Sequence, residues 1–321
     1  MADVAAGPTP PRPRGRGQLI LVTALGLAIL FVTLALILNT AIYTENLATR
    51  SGDIGGGTDA VRYHDAARDG VGGVMDYVNA HNNSSYAALR ANLSAGVDAF
   101  RNQSARQFAV GDSLAVVTLN RTVNGTRIAQ TDPTRDLTNT SGNPDWTVVQ
   151  DVEETRAVVI NVTDASSLEP PGSANAFNLT LDDGDETWRL NVTNDSTTTF
   201  VGVENGTDAE FNCTAPTGTP VIDVTAGTID GEDCSGLDFA EGLEPPYDIS
   251  IGHGDNITGT LSMVVNGSTL AGVPDEDLAA DGSGQPFAAH AVYATTIDIV
   301  YETPRLYYNT TVRVAPGDPD G

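Results

Sequence analysis

The strongest constraint on this chain is an uncharged apolar segment near its start. Leu19 to Leu38 make up twenty residues without a charge, interrupted only by Thr23, Gly26 and Thr33. A helix of this length spans about 30 Å, the thickness of the hydrocarbon core of a bilayer. A buried helix of a globular core is the alternative, but such helices rarely run this long without a polar face. The sequence therefore predicts a transmembrane helix over 19–38.

The charges on either side of this segment predict its orientation. Arg12, Arg14 and Arg16 precede it, and the nearest charges after it are Glu45 and Arg50. Positive residues tend to stay on the cytoplasmic side of a membrane. We therefore expect a single-pass protein of the cell membrane in contact with its lipid, with residues 1–18 as a basic cytoplasmic stub and the C-terminal part extracellular.

The junction between the stub and the apolar segment resembles a known processing signal. The run Arg14-Gly15-Arg16-Gly17-Gln18, followed at once by the apolar helix, is similar to the class III signal of type IV pilins and archaeal pilin-like proteins. In that family a membrane peptidase cuts after the glycine, which implies cleavage between Gly17 and Gln18 with the helix retained. The resemblance covers residues 12–46, and it implies association with other pilin-like subunits through the N-terminal helix.

A cleaved secretory signal is the competing hypothesis for the same segment. Such a signal has an apolar stretch of about 7 to 15 residues and ends in a small-x-small site. The stretch here is longer, and Asn39-Thr40-Ala41 is a poor cleavage site. The pilin-like signal therefore accounts better for the residues.

The part of the chain after the apolar segment is rich in N-glycosylation sequons. Of 21 asparagines, 16 begin Asn-x-Ser/Thr without proline, and all 16 follow the predicted membrane helix. Glycans are attached only on the translocated side, so the sequons support the predicted topology. The alternative is that these asparagines and threonines serve only turns and strands of a β protein. The candidate sites are Asn82, Asn83, Asn92, Asn102, Asn120, Asn124, Asn139, Asn161, Asn178, Asn191, Asn194, Asn205, Asn212, Asn256, Asn266 and Asn309.

The two cysteines favour an oxidising compartment. Cys213 and Cys234 both lie in the predicted exterior and enclose 20 residues rich in Pro, Gly and Thr. A disulfide that closes such a loop stabilises a protein by about 3 kcal/mol. Two free thiols are the alternative. A zinc site is disfavoured, because structural zinc sites pair cysteines two to four residues apart and generally use four ligands.

The remaining pattern predicts an α+β protein with a mainly antiparallel, sandwich-like β domain. Apolar residues at helical spacing, namely Val61, Val71, Met75 and Val78, then Tyr86, Leu89, Leu93, Val97 and Phe100, predict two amphipathic helices at about 58–80 and 84–109. These helices cannot bury their apolar stripes alone, so we expect them to pack on each other or on the following domain. The resulting division is a helical stalk region at 39–113, an extracellular β domain at 114–315 and a disordered tail at 316–321.

Residue alternation predicts the strands of that β domain. Phe177, Leu179 and Leu181 alternate with polar residues before an Asp-rich turn, and Trp188 begins a second alternating run, which predicts a hairpin with one buried face. Similar runs occur at 116–123, 155–163, 247–251, 258–265, 293–301 and 306–314. Strands at this spacing are typical of an antiparallel sandwich or sheet.

Composition excludes several functions. All 16 basic residues are arginine, so chemistry that needs a lysine amine is absent, and a formal charge of −26 argues against nucleic acid as a partner. Residues 1–18 carry three Arg and one Asp, a net charge of +2, whereas residues 39–321 carry 13 Arg and 41 acidic residues, a net charge of −28. This lysine-free acidic chain resembles proteins of salt-loving archaea, in which roughly molar salt screens the repulsion.

No catalytic, cofactor-binding or metal site is predicted. The histidines at 64, 81, 253 and 290 are scattered, and no metalloprotease or hydrolase motif occurs. Asp-rich turns at 182–186, 230–233 and 275–281 carry oxygen ligands suited to calcium, but none has the spacing of a calcium-binding loop, so solvated acidic turns are favoured.

Two functions remain from the sequence. The favoured one is a non-enzymatic, pilin-like, membrane-anchored and glycosylated cell-surface protein with a structural or adhesive role, such as a minor pilus component. The alternative is a membrane-anchored ectodomain that binds a ligand or a partner protein without polymerising. A cell-surface enzyme comes third, because no convergent set of residues supports it.

Overall fold

The structure is a computed structural model that describes residues 57–81, 84–205, 208–216, 218–267, 277–279 and 282–319, with the backbone alone at 208–212. The predicted stub, the apolar segment 19–38 and the processing site Gly17-Gln18 lie outside these residues. Within the described ranges, no helix is both long and apolar enough to cross a bilayer. Ala60–Gly321 form one compact unit.

Two helices come first in the described chain, at the positions that periodicity predicts. Helix α1 covers residues 57–81 and helix α2 covers Tyr86–Ala109. The Ser85 hydroxyl caps α2 by accepting a hydrogen bond from the N–H of Ala88 at 3.2 Å, which satisfies one of the free donors of the first turn.

The buried stripe of α1 differs from the predicted one at its start. Tyr63, Ala67, Val71 and Met75 are buried, at a constant spacing of four residues. Val61 was predicted to belong to the stripe, but that assignment is wrong because its side chain is 57% exposed. The buried stripe includes Ala67, which keeps the spacing of four residues. A pattern of large apolar residues alone does not include this alanine.

The rest of the described chain is built mainly from strands. Their bounds are β1 Leu114–Gln130, β2 Trp146–Val152, β3 Thr155–Asp164, β4 Phe177–Asp182, β5 Thr187–Asn194, β6 Thr199–Asn205, β7 Asp208–Thr214, β8 Val221–Asp223, β9 Thr228–Ile229, β10 Glu232–Asp233, β11 Tyr247–Gly252, β12 Thr258–Asn266, β13 Phe287–Thr303 and β14 Leu306–Val314. Two short 3-10 turns lie at Ala165–Ser167 and Gly254–Asn256.

The strands form two antiparallel sheets. The first sheet has the order β10-β9-β8-β3-β12-β1-β13-β14, and the second has the order β2-β11-β4-β5-β6-β7. The predicted hairpin is confirmed as β4 and β5, and its apolar positions, such as Phe177 and Trp188, are fully buried. The prediction of two helices followed by antiparallel sheets is confirmed.

Two apolar cores share the first sheet. At one end, Ala115, Val117, Ile297 and Ile299 of the first sheet pack with the buried stripes of α1 and α2. At the other end, buried residues of β3 and β12 pack with those of β4, β5 and β11 from the second sheet. The helices therefore bury their apolar stripes against the β domain and not only against each other.

The end of the chain is more ordered than composition suggests. Residues 316–321 are predicted to be a frayed tail, but the Gly317 carbonyl accepts from the N–H of Ala157 at 2.8 Å, and Asp318 pairs with Arg313 at 2.7 Å. These contacts join residues 317 and 318 to β3 and β14. Proline and glycine favour a loop. Hydrogen bonds from a neighbouring strand to the carbonyls of such a loop hold it in one position.

Candidate functional site

The disulfide between Cys213 and Cys234 is present, as predicted, with Cα atoms 5.9 Å apart. Cys213 lies in β7, the edge strand of the second sheet, and Cys234 directly follows β10, the edge strand of the first. The bond therefore connects the two sheets at their edges. The chain between the two cysteines includes β8, β9 and β10, so the disulfide also closes the segment that completes the first sheet.

Most of the predicted glycosylation sites reach the surface. Among the 13 sequon asparagines with described side chains, 12 are exposed or partly exposed. Asn92 and Asn102 on α2, Asn120 on β1 and Asn309 on β14 are the exposed ones. Asn82, Asn83 and Asn212 have side chains outside the described residues. The predicted acceptors on α2, β1 and β14 are accessible without any change in the fold.

One sequon is buried. Asn139 is 4% exposed, and its side-chain oxygen accepts the N–H groups of Ser141 and Asn143 at 3.0 and 2.8 Å. Its amide nitrogen donates to Asp277. This side chain organises the loop between β1 and β2, which is the role that the alternative interpretation assigns to such asparagines.

Three sequon asparagines share one row on the second sheet. Asn178 pairs with Asn191, Asn191 pairs with Gly202, and Gly202 pairs with Asn212 across β4, β5, β6 and β7. Gly252 of β11 pairs with Asn178 on the other side. The side chains of Asn178 and Asn191 lie on the face opposite to the buried residues Leu179 and Leu190.

The histidines and acidic turns do not converge on a chemical site. Among the described residues, no group of three or more His, Cys, Asp or Glu side chains is arranged to hold a metal ion. Asp183 instead accepts hydrogen bonds from the backbone N–H groups of Asp185, Glu186 and Glu244, at 2.9, 2.7 and 2.8 Å. These bonds hold the pKa of the Asp183 carboxyl below its usual range.

A buried arginine is the main polar feature that sequence reasoning missed. Arg156 is fully buried, and its guanidinium donates to the carbonyls of Tyr293, Val292 and Pro316 at 2.7, 3.0 and 2.6 Å. Asp76 of α1 lies 3.7 Å from it. The strand pattern indicated this burial. Arg156 is separated from the buried core residues of β3 by an even number of positions, so its side chain lies on the same face of the strand.

The surroundings of Arg156 connect three parts of the fold. Its guanidinium lies 5.7 Å from the centre of the Tyr293 ring, and that of Arg313 lies 5.8 Å from the same ring. Burial raises the pKa of the Tyr293 hydroxyl and lowers the pKa of Arg156. A cleft of about 320 Å³ opens beside this cluster, between α1 and residues 314–318. Arg156 thus joins α1, β13 and the C-terminal segment, which is an arrangement suited to stability.

The fold and its surface define a helix-capped, two-sheet α+β protein. A family model described as a family of unknown function (DUF7261) matches residues 13–180, slightly more than half of the chain. The protein belongs to this family. Comparison with curated proteins and with solved structures gives no match.

Proposed function

We propose that this protein is a membrane-anchored, glycosylated cell-surface protein with a pilin-like N-terminus and a non-enzymatic, structural or adhesive role. The observation that carries the proposal is the agreement between the sequons and the surface. Twelve of the 13 described sequon asparagines are accessible, and all of them follow the apolar segment in the chain. Glycans are attached only on the translocated side of a membrane, so this distribution is the one expected of a translocated domain.

The disulfide supports the same compartment. Disulfides persist in oxidising environments outside the cytoplasm. The bond between Cys213 and Cys234 connects the edges of two sheets, so its formation belongs to the folding of the β domain. The uncharged segment 19–38 is the proposed membrane anchor. The arginines before it favour an orientation with the N-terminus in the cytoplasm.

Processing of the N-terminus distinguishes this proposal from a non-polymerising ectodomain. The full chain is expressed in a cell that has a class III signal peptidase and purified from its membranes, and its N-terminal peptide is sequenced by mass spectrometry. We expect the peptide to begin at Gln18. An N-terminus at residue 1 or 2 would contradict the pilin-like signal and leave the anchored ectodomain as the better account.

A pair of variants makes the test specific to the cleavage site. Gly17→Val places a branched side chain at the predicted bond and should leave the stub attached. Gly7→Val makes the same change within the stub but away from the bond, and should leave cleavage unchanged. Equal processing of both variants would count against Gly17 as the site.

A further inference from the structure

A groove lies on the outer face of the second sheet, at the row of sequons. It has a volume of about 330 Å³, and its floor is formed by residues of β5 and β6 that include Asn191, Thr193, Phe200, Gly202 and Glu204. Small-molecule sites have volumes of about 300–1,000 Å³, so the groove is large enough for one small ligand. Gly202 supplies no side chain to this face, which leaves a gap among its neighbours.

The rim of the groove is fixed by hydrogen bonds. The loop at 171–173 forms one side. The Glu169 carbonyl accepts from the N–H of Asn194 at 2.9 Å, and the Glu169 carboxylate accepts from the Ser173 hydroxyl at 2.9 Å. These bonds hold the loop against β5, so the groove is formed before any ligand arrives. A preformed site avoids the entropic cost of ordering a loop on binding.

The polar groups of the groove form one connected network. Asn191 donates its amide N–H to Glu204 at 3.0 Å, and Arg189 lies 3.5 Å from the other carboxylate oxygen of Glu204. Arg189 also donates to the Thr180 hydroxyl at 3.3 Å. The amide and the carboxylate that line the groove present both donors and acceptors in planar arrangements, and the Arg189 guanidinium lies next to them outside the lining. The charge of Glu204 is matched by that of Arg189.

The chemistry of this groove suits a sugar. A saccharide ring has hydroxyls that donate and accept hydrogen bonds, and it has an apolar face of C–H groups that packs on an aromatic ring. Phe200 is partly exposed at the groove and pairs across the sheet with Thr193. The paired charges and the chain's net charge of −26 disfavour phosphates and other anions. We propose that the groove over Gly202 is a binding subsite for a neutral saccharide ring.

Two sources supply a neutral saccharide at this position. One is a free glycan from outside the protein. The other is the chain's own N-glycan on Asn191, since Asn191-Val192-Thr193 is a sequon within the groove. A glycosylated amide keeps one N–H, so a donor for Glu204 remains after attachment. The second source rests on the proposed glycosylation, whereas the first depends on neither glycosylation nor anchoring.

Binding measurements on the full chain in detergent test the free source. The probes are glucose, galactose, mannose, N-acetylglucosamine and their disaccharides, measured by saturation-transfer NMR on the chain produced in a host without N-glycosylation, which leaves Asn191 unmodified and the groove residues unchanged. We expect at least one probe to bind this unglycosylated chain, and at least tenfold weaker binding after Phe200→Ala or Gly202→Val. Tyr307→Ala, which removes an exposed aromatic ring from β14 of the other sheet, is the matched control and should leave binding unchanged.

Glycopeptide mapping and thermal unfolding test the chain's own glycan. If a glycan occupies the groove, mass spectrometry finds it on Asn191, and Thr193→Val lowers the unfolding temperature in the wild type but not in a Phe200→Ala background. Either source supports the proposal. The proposal is overturned if no probe binds the unglycosylated chain and no Phe200-dependent glycan effect is found, or if Phe200→Ala and Gly202→Val bind the probes as strongly as the chain without these changes does. The unfolding temperature is measured for every variant, so that a variant that loses binding because it is misfolded is distinguished from one that loses a contact with the sugar.

Discussion

At the residue scale, the stability of the fold depends on the hydrogen bonds that buried polar side chains make. Arg156 is the clearest case, because its guanidinium is fully buried and donates to three backbone carbonyls. Asp76 is a weaker partner, at 3.7 Å and with 55% of its side chain exposed. The carbonyls therefore contribute more to holding Arg156 than the opposite charge does.

Replacing Arg156 should be costly, and replacing Asp76 should not. We expect Arg156→Met to lower the free energy of unfolding by about 3–5 kcal/mol, because it removes all three bonds of the guanidinium, and only the Val292 carbonyl keeps another side-chain donor, Asn79. Asp76→Asn should cost less than about 1 kcal/mol, since the Asp76 carboxylate is more than half exposed and solvent screens its charge, while the carbonyls still hold the buried guanidinium. Urea unfolding of both variants measures the difference. Equal losses would show that the ion pair, and not the carbonyl bonds, is the main interaction.

Asp183 gives a prediction of pH dependence. Its carboxylate accepts three backbone N–H groups, which lowers its pKa in the folded state. The stabilisation is therefore complete above the unfolded value of about 3.9 and is lost as the pH falls through the folded pKa. We expect Asp183→Ala to unfold at a lower temperature than the wild type at pH 6, with the difference shrinking between about pH 5 and pH 2. Asp185→Ala, in the same turn, is the control, and a difference for Asp183→Ala that does not change with pH would contradict the assignment.

At the element scale, the two helices approach closely through glycines. A Cβ atom on Gly96 of α2 would lie 2.4 Å from Cγ1 of Val74, and one on Gly70 of α1 would lie 2.5 Å from the Phe100 ring. Real side chains do not approach this closely. The glycines therefore set the distance between the helices, which in turn places both apolar stripes on the first sheet.

A pair of glycine substitutions tests this packing. Alanine in place of glycine normally stabilises a helix by about 1 kcal/mol. Gly73→Ala should do so, because nothing lies within 4 Å of its Cβ position. Gly96→Ala should instead lower the free energy of unfolding by about 1–3 kcal/mol, since Val74 is branched and has little freedom to move. Thermal unfolding of the two variants measures the signs, and stabilisation by both would show that the helices separate easily.

Elements with simple periodicity could be predicted from the sequence, and elements with irregular pairing could not. The helices were placed to within about two residues, and the β4–β5 hairpin was correct, because one buried face dictates each pattern. Strands β1 and β13 are longer than the predicted runs at 116–123 and 293–301. Register shifts at Leu119/Arg121 and Val123/Asn124 interrupt the alternation of β1, so the pattern breaks where the strand continues.

The candidate groove could not be predicted for a related reason. It requires Asn191 to pair with Gly202 and Arg189 to pair with Glu204, which are facts of register between β5 and β6. Each of these residues looks like an ordinary solvent-facing position in the sequence. The disulfide was predictable because the chain has two cysteines and therefore one pairing.

At the scale of the whole molecule, charge is divided along the chain. The predicted exterior carries a net charge of −28, whereas the stub carries +2. Repulsion within such an acidic domain disfavours the compact state unless salt screens it. At 1 M salt the Debye length is about 3 Å, so only neighbouring charges interact.

Salt should therefore control the stability of the β domain. We expect the unfolding midpoint of the full chain in detergent to fall when salt is diluted from 1 M to 0.1 M, because the screening length grows to about 10 Å. Thermal unfolding followed by circular dichroism over this range measures the effect. A midpoint that stays constant or rises on dilution would contradict the halophilic interpretation of the composition.

The proposed function requires the two-sheet domain to lie outside the cell. The chain has two cysteines, and both are in the disulfide, so a single added thiol is specific. Tyr307 of β14 is 64% exposed and offers a site for Tyr307→Cys. A membrane-impermeant maleimide applied to intact cells should label this variant as fully as it does after lysis, with the wild type giving only background. Labelling of Tyr307→Cys that appears only after lysis would place the domain inside the cell and contradict the account.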